Sequence, residues 1–303
     1  MSVSTWSYKI LKLLQKMNNF YLPGSCRADC ARFELNKVRV GWVHPRVASL
    51  LTRHPDVFNL TPGGAVTLSD HLDSYARRSE AVDAVLRTLR REGALSCLQG
   101  WREEKYDVMP KYSDPPLMWM ERAATSLFGV KQYGVHINGY TVSGNGQVSL
   151  WLARRSPNKQ TYAGLLDHVA AGGLAAGDGI RQTVVKECLE EACIPVAIAQ
   201  KARPVGTVSY TYSYHEEVFA ESLFVFDLEV PLDFKPRVGD GEVQEFYLLP
   251  IDKVKELVAT DEFKPNCAMV VLDFLIRHSF IEPDTEPSYQ DFVAGLHQTL
   301  EGS

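Results

Sequence analysis

The stretch Gly172–Pro195, GGLAAGDGIRQTVVKECLEEACIP, opens on two glycines and ends with three glutamates within five residues. If residues 179–192 form a helix, Glu187, Glu190 and Glu191 stand at i, i+3 and i+4 on one face, with Cβ atoms roughly 5–6 Å apart. Like charges at that spacing cost a few tenths of a kcal/mol per pair, and the C-terminal end of the helix dipole adds a penalty of similar size. Something positive should sit among them. A hard divalent cation such as Mg2+ meets the need, because it is held by a few carboxylates with water and substrate phosphate completing its shell. Glycines just before the helix let the backbone approach, so Gly172 is a candidate further ligand through its carbonyl.

Working outward, YGVHINGYTVSGNGQVSLWLARRS (residues 133–156) alternates apolar and polar residues on both sides of Gly144-Asn145-Gly146, a hairpin signal because Asn-Gly tolerates positive φ. Downstream come a strand pair around VGTVSYTYSY and SLFVFDLEV, an acidic loop GDGEVQEF, a helix from about Asp252 and a last apolar helix, MVVLDFLIRH. Strands, helix, strands, helix imply an α/β unit with a mixed sheet between helices. Upstream, residues 33–43 read as β structure and Ser79–Gly93 as a helix with Ser79 as N-cap and Gly93 as stop, the signs of a smaller α+β domain. The expected division is residues 1–125 for this N-terminal domain, 126–282 for the catalytic domain and 283–303 for a polar tail.

The chain has 303 residues, 45% of them hydrophobic and 23% charged, with a formal charge of -5. That balance gives no electrostatic footprint for nucleic acid or an anionic membrane, and neither is expected as a partner. No apolar run approaches the roughly 20 residues a membrane span requires. Six cysteines lack the paired close spacings of a zinc site, so free thiols and a reducing compartment are expected. The first acidic residue is Asp29, and Lys9, Lys12 and Lys16 precede it. Ile10, Leu11, Leu13, Leu14 and Met17 make this segment an amphipathic helix fit to dock on a domain; a targeting segment is the alternative. The expected location is cytoplasmic, with the mitochondrion as the lesser alternative.

The glycine-to-glutamate segment resembles the signature of the Nudix hydrolases. Gly172 takes the first position, Asp178 that of the first glutamate, Lys186 that of the arginine, and Glu187, Glu190 and Glu191 the metal-binding carboxylates. Cys193 stands where the pattern has its final glycine. The resemblance implies an α/β/α sandwich and a Mg2+-dependent hydrolase, with Mn2+ as a substitute, that cleaves a diphosphate linkage. Glu187, Glu190 and Glu191 become its catalytic metal ligands, and Gly172 and Asp178 further candidates. Asp178 serves equally as a helix N-cap. Lys186 keeps the arginine's charge as a point donor, and Cys193 must either accept positive φ or close the helix differently. Glu191 or Glu187 is the first choice for the base; Glu242 and Glu245 in the later loop offer a further acid.

HINGY at 136–140, residues 150–173, GTVSY at 206–210 and FKPNCAMVVLDFLIRH look like the subgroup related to thiamine pyrophosphokinase. That implies hydrolysis of thiamine diphosphate and of its damaged forms, oxo- and oxythiamine diphosphate, to the monophosphate and phosphate. Pyrophosphatase action on ADP-ribose or nucleotide sugars is one alternative and a catalytically weak ligand-binding module another. No phosphate-cradling glycine loop of the P-loop type supports kinase activity. Arg154, Arg155, Lys159 and Lys186 are candidate diphosphate ligands. His136 and Asn138 are either satisfied strand residues or substrate contacts, and Trp101, Trp119 and Tyr133 either pack or stack on a substrate ring. A small-molecule diphosphate is the expected partner, and a homodimer is compatible with the sequence.

Overall fold

The computed structural model describes residues 4–300. Helix α1 (Thr5–Met17) is capped by Ser4, whose side chain accepts from the Ser7 N–H. Its apolar stripe, Ile10, Leu14 and Met17, is buried against residues from the far end of the chain, so this helix docks as its amphipathic pattern predicts. Strands β1 (Ala31–Leu35) and β2 (Val38–Val43) follow, then α2 (Pro45–Leu51), β3 (Phe58–Leu60) and β4 (Ala65–Leu68). These strands form one sheet in the order β2-β1-β4-β3. Helix α3 (Tyr75–Arg91) buries Val82, Val85, Leu86 and Leu89 in the same core as Phe33, Val66 and Phe128.

The start of α3 departs from expectation. Ser74, not Ser79, is the N-cap, accepting from the Arg77 N–H. Ser79 lies a full turn inside, where its hydroxyl donates to the Tyr75 carbonyl and accepts from the Trp119 N–H. The exposed first turn, YARR, carries no apolar stripe to announce it. Gly93 does end the segment, at φ 65°. A separate two-stranded ribbon, β5 (Lys105–Val108) with β6 (Met118–Glu121), closes the N-terminal portion.

The larger sheet has seven strands. Strands β7 (Lys131–Val142) and β8 (Val148–Arg155) form the expected hairpin across Gly144-Asn145-Gly146. Short strands β9 (Leu166–His168) and β10 (Ala170–Gly173) pair with β8 and β7 respectively. Helix α4 (Ile180–Ala192) and the short α5 (Val196–Ala199) come next. Strands β11 (Arg203–Tyr214), β12 (Glu217–Glu229) and β13 (Val243–Pro250) complete a β11-β12-β7-β8-β13 path, in which only the β12–β7 pairing is parallel. Helix α6 (Ile251–Val258) and the nearly all-buried α7 (Pro265–Arg277) lie on one face together with α1; α4 covers the other. The sheet is mixed and sandwiched between helices, as the order of elements predicts.

Residues after 282 are not simply a polar tail. Helix α8 (Tyr289–Leu296) buries Phe292 and Leu296 against α1 and α7, and Trp6 meets Phe292 edge to face at 5.9 Å. Tyr289, three residues before Phe292, packs on the same core, so three residues at i, i+3 and i+7 dock this short helix. Both chain ends therefore contribute to the core beneath the large sheet.

Candidate active site

Helix α4 carries Glu187 and Glu191 on the side that faces β10, while Glu190 looks outward. The Glu191 carboxylate accepts the Ala171 N–H at 2.9 Å. Glu187 lies so close to Gly172 that a Cβ there would stand 2.2 Å from its Cδ. The missing side chain at 172 is what lets the carboxylate lie flat on the strand. Burial raises the Glu187 carboxyl to about 7, with the charges of Glu190 and Glu242 adding to it, and burial pushes Glu191 well above the ordinary carboxylate range, reinforced by Asp167, Glu187 and Glu242. The Glu190 side chain is 49% exposed, and Lys186 approaches it at 3.9 Å and Glu187 at 3.8 Å. These are loose ion pairs, as a point-charge ammonium in place of a fork permits.

The end of α4 resolves the problem of its negative pole. Cys193 takes the left-handed conformation at φ 51°, so the chain accepts the strain that a glycine would avoid. The Gly239 N–H donates to the Glu191 carbonyl and the Arg237 N–H to that of Ala192. Backbone donors thus neutralise terminal carbonyls while the carboxylates turn aside to β10. A Cβ at Gly239 would sit 1.8 Å from the Glu190 carbonyl, so this approach requires glycine.

The loop after Gly239 delivers Glu242, which pairs with Lys159 and lies within electrostatic reach of both Glu187 and Glu191. Lys159 lowers the Glu242 carboxyl against the opposing effect of burial. Glu245 bonds to Tyr247 on an exposed part of β13 and does not join the group. Asp178 also stays apart. It precedes Gly179, the N-cap residue, and makes no side-chain cap; the first helical residue, Ile180, is already roughly 10 Å up the axis from Glu187 at 1.5 Å per residue, and Asp178 lies beyond it.

The cations predicted from the hairpin are largely engaged. Arg155 is buried, its Nη1 2.7 Å from Asp167, with Nε and Nη2 donating to the Tyr162 and Thr161 carbonyls. It organises the 156–165 loop and acts on the site through its charge, which helps to lower the Glu242 carboxyl. Arg154, on the opposite face of β8, donates to the Gly164 carbonyl and lies over the Tyr247 ring. Asn138 donates to Asp227, within a buried group completed by Arg277 and His278. Trp101 packs under Arg87 and Arg90, Trp119 under Lys105, and Tyr133 against Tyr112 and Phe224.

Residues that the motif does not announce complete the site from the N-terminal portion. The Tyr106 hydroxyl on β5 is pressed onto Gly173, where a Cβ would overlap it, and the Ala176 N–H donates to the Lys105 carbonyl. This brings Arg122, paired with Glu104 at 2.8 Å, within electrostatic reach of Glu187, Glu242 and Glu221. Glu221 is directly opposite Tyr210 in the β11–β12 ladder and accepts its hydroxyl. Tyr212 stacks on Phe219 at 4.6 Å, and Lys264 lies near Glu221 at the start of α7. Nothing in the spacing of EEKYDV or ERAATS points to a glutamate cluster some sixty residues on, because the contact exists only once β5 and β10 meet.

The donor set suits a hard divalent cation. Two inward carboxylates share a space where the Ala171 N–H is the hydrogen-bond donor to Glu191, and burial disfavours both charges until a cation joins them.

A model described as the NUDIX domain matches residues 133–267, and one described as a domain of unknown function, DUF4743, matches residues 9–132. Nudix hydrolase 20, chloroplastic, of Arabidopsis thaliana is 41% identical over 277 residues, covering 87% of this chain and 72% of that protein. Nudix hydrolase 24, chloroplastic, of the same plant is 41% identical over 270 residues with the same coverage. An uncharacterized protein of Saccharomyces cerevisiae is 36% identical over 241 residues, covering 75% of this chain and 70% of that protein. With this similarity spanning both portions of the chain, and with the glutamate helix seated on its glycine strand, the protein belongs to the Nudix hydrolase family and is a hydrolase acting on diphosphate bonds.

Proposed function

We propose that this protein is a Mg2+-dependent diphosphatase that removes the terminal phosphate of thiamine diphosphate and, above all, of its oxo and oxy forms. The observation that carries the substrate class is the wall beside the glutamates: Glu221 with Tyr210, and Tyr212 stacked on Phe219. A part-buried carboxylate next to an aromatic face suits a flat ring that is cationic or rich in N–H donors. The similarity of residues 136–173 and 206–210 to the thiamine-related subgroup points the same way.

Glu187 and Glu191 would hold the cation, with Gly172 leaving room for them and Glu190 adding charge from the solvent side. A divalent ion there supplies positive charge to the diphosphate oxygens and lowers the pKa of water. The protein's own groups divide the remaining work. Arg122 faces the glutamates from the opposite side and is the group placed to bind the terminal phosphate's oxygens. Glu242, held ionised by Lys159, is open to water and accepts the proton of the attacking molecule. The water oxygen bonds to the terminal phosphorus, the bridging P–O bond breaks, and the monophosphate leaves with the electron pair of that bond. Tyr106 and β5 close the N-terminal side, so that portion is a wall of the site.

The test is product analysis with Mg2+ and a panel of oxythiamine diphosphate, thiamine diphosphate, ADP-ribose and nucleotide sugars. Monophosphate and phosphate from the thiamine compounds are expected, with loss in Glu191→Gln. Turnover confined to ADP-ribose or nucleotide sugars would sink the substrate assignment.

A further inference from the structure

Behind the glutamate pair, three side chains from distant parts of the chain meet in the interior. His136 on β7, His168 at the end of β9 and Cys267 in the first turns of α7 are 4%, 2% and 0% exposed. One donor atom of each lies within 4.8 Å of the other two. The Cys267 Sγ is 3.9 Å from His136 Nδ1, and the two imidazoles meet edge to face at 4.9 Å between centroids. Neither ring nitrogen of His168 has a hydrogen-bond partner among the described residues. A buried imidazole with both nitrogens orphaned is costly to desolvate unless something binds it.

We propose that His136, His168 and Cys267 form a second metal site, closed to solvent and selective for a borderline-soft divalent cation of the zinc class. Two imidazole nitrogens and one sulfur are the donors such an ion selects, whereas Mg2+ takes oxygen. Zinc bonds of about 2.0–2.3 Å require donors somewhat closer than they stand here, a closure within reach of small side-chain rotations. Asp167 Oδ1, 2.7 Å from Cys267 Sγ, is the adjacent fourth donor. On binding, the Cys267 S–H proton leaves to solvent, a sulfur–metal bond forms, and the ion sheds its waters. The Lys264 ammonium and the Arg155 guanidinium, 3.4 and 2.7 Å from Asp167, are the nearby charges that oppose the ion; Asp167 and the new thiolate offset them.

The ion would tie α7 and β9 to the central strand. Ala171, which holds Glu191, is paired with His136 across the sheet, so the second site braces the first. It does not depend on which diphosphate is hydrolysed, nor on hydrolysis at all.

The experiment uses the full chain produced with Co2+ in the growth medium. A near-ultraviolet thiolate-to-cobalt band and about one tightly held cobalt per chain are expected. In Cys267→Ser the band should vanish and zinc affinity, read by competition with a chromophoric chelator, should fall at least about tenfold. Glu187→Gln/Glu191→Gln should keep both band and zinc. Loss of zinc in the glutamate variant with retention in Cys267→Ser would overturn the proposal. So would a parent protein that shows no thiolate band with cobalt, a reading that needs no variant to fold.

Discussion

Gly172→Ala isolates the steric basis of the glutamate site. The added Cβ would lie 2.2 Å from Glu187 Cδ, 2.4 Å from Oε1 and 2.7 Å from Cγ, where ordinary contact begins near 3.4 Å. The Glu187 carboxylate must therefore retreat by about 1 Å, because β10 is pinned to β7 by its ladder while the end of a glutamate is free to swing. A misplacement of that size at a reacting centre costs about a hundredfold in rate, close to 3 kcal/mol of transition-state stabilisation. Folding should suffer far less, about 1 kcal/mol or below, since the contact is with a flexible side chain. Phosphate release at saturating Mg2+, beside a thermal melt followed by circular dichroism, separates the two effects. Gly144→Ala in the hairpin turn, where a Cβ meets nothing within 4 Å, is the control. If Gly172→Ala hydrolyses diphosphate at the parent rate, Glu187 is not held where it acts by the glycine strand, and the geometry argued for the site is wrong.

Arg122→Ala should lower kcat/KM roughly 10- to 100-fold with Arg122→Lys intermediate, whereas Arg155→Ala should act chiefly through the melting temperature by unpairing buried Asp167; equal kinetic losses would refute the division of roles. Cys193→Gly relieves a left-handed residue at φ 51° and should raise stability by about 0.5–1 kcal/mol after the entropy of glycine is charged against it, as chemical denaturation would show. For acid stability, Arg277 and His278 draw the Asp227 carboxyl down to about 2, below its usual 3.8. Because the folded value is the lower one, this contribution is complete above pH 4 and disappears as pH falls from about 4 to 2. Asp227→Asn should therefore destabilise the protein at pH 7 and much less at pH 2; a penalty independent of pH would show that the ion pair is not its source.

What could be read in the sequence was local. The i, i+3, i+4 glutamates, the Asn-Gly turn and the apolar stripe of α1 each depend on residues within one turn or one hairpin, and each element formed as its pattern dictates. Missed features lie where a local pattern was absent or ambiguous. Ser74 caps α3 ahead of a turn with no apolar residue facing the core, and the first residue with an apolar stripe behind it is Ser79. Tyr289, Phe292 and Leu296 are the signal for α8, a stripe too short to stand out between the polar residues 282–288 and 297–299. Arg155 resembled a phosphate ligand because sequence gives its charge and its neighbours but not Asp167, which reaches it only through the β8–β9 pairing.

The three glutamates make the same point at finer grain. Spacing placed them on one face, yet a helix face at i, i+3 and i+4 spans roughly 100° and a neighbouring strand can shelter only part of it. Gly172 determines which part: the strand approaches where it has no side chain, taking in Glu187 and Glu191 and leaving Glu190 to Lys186 and water. The motif's first glycine and its glutamates are therefore one device read from two elements. That is why the glycine stands at a fixed distance upstream: the intervening residues 174–179 are the length of chain needed to leave β10, turn under Tyr106 and enter α4 with the carboxylates facing back.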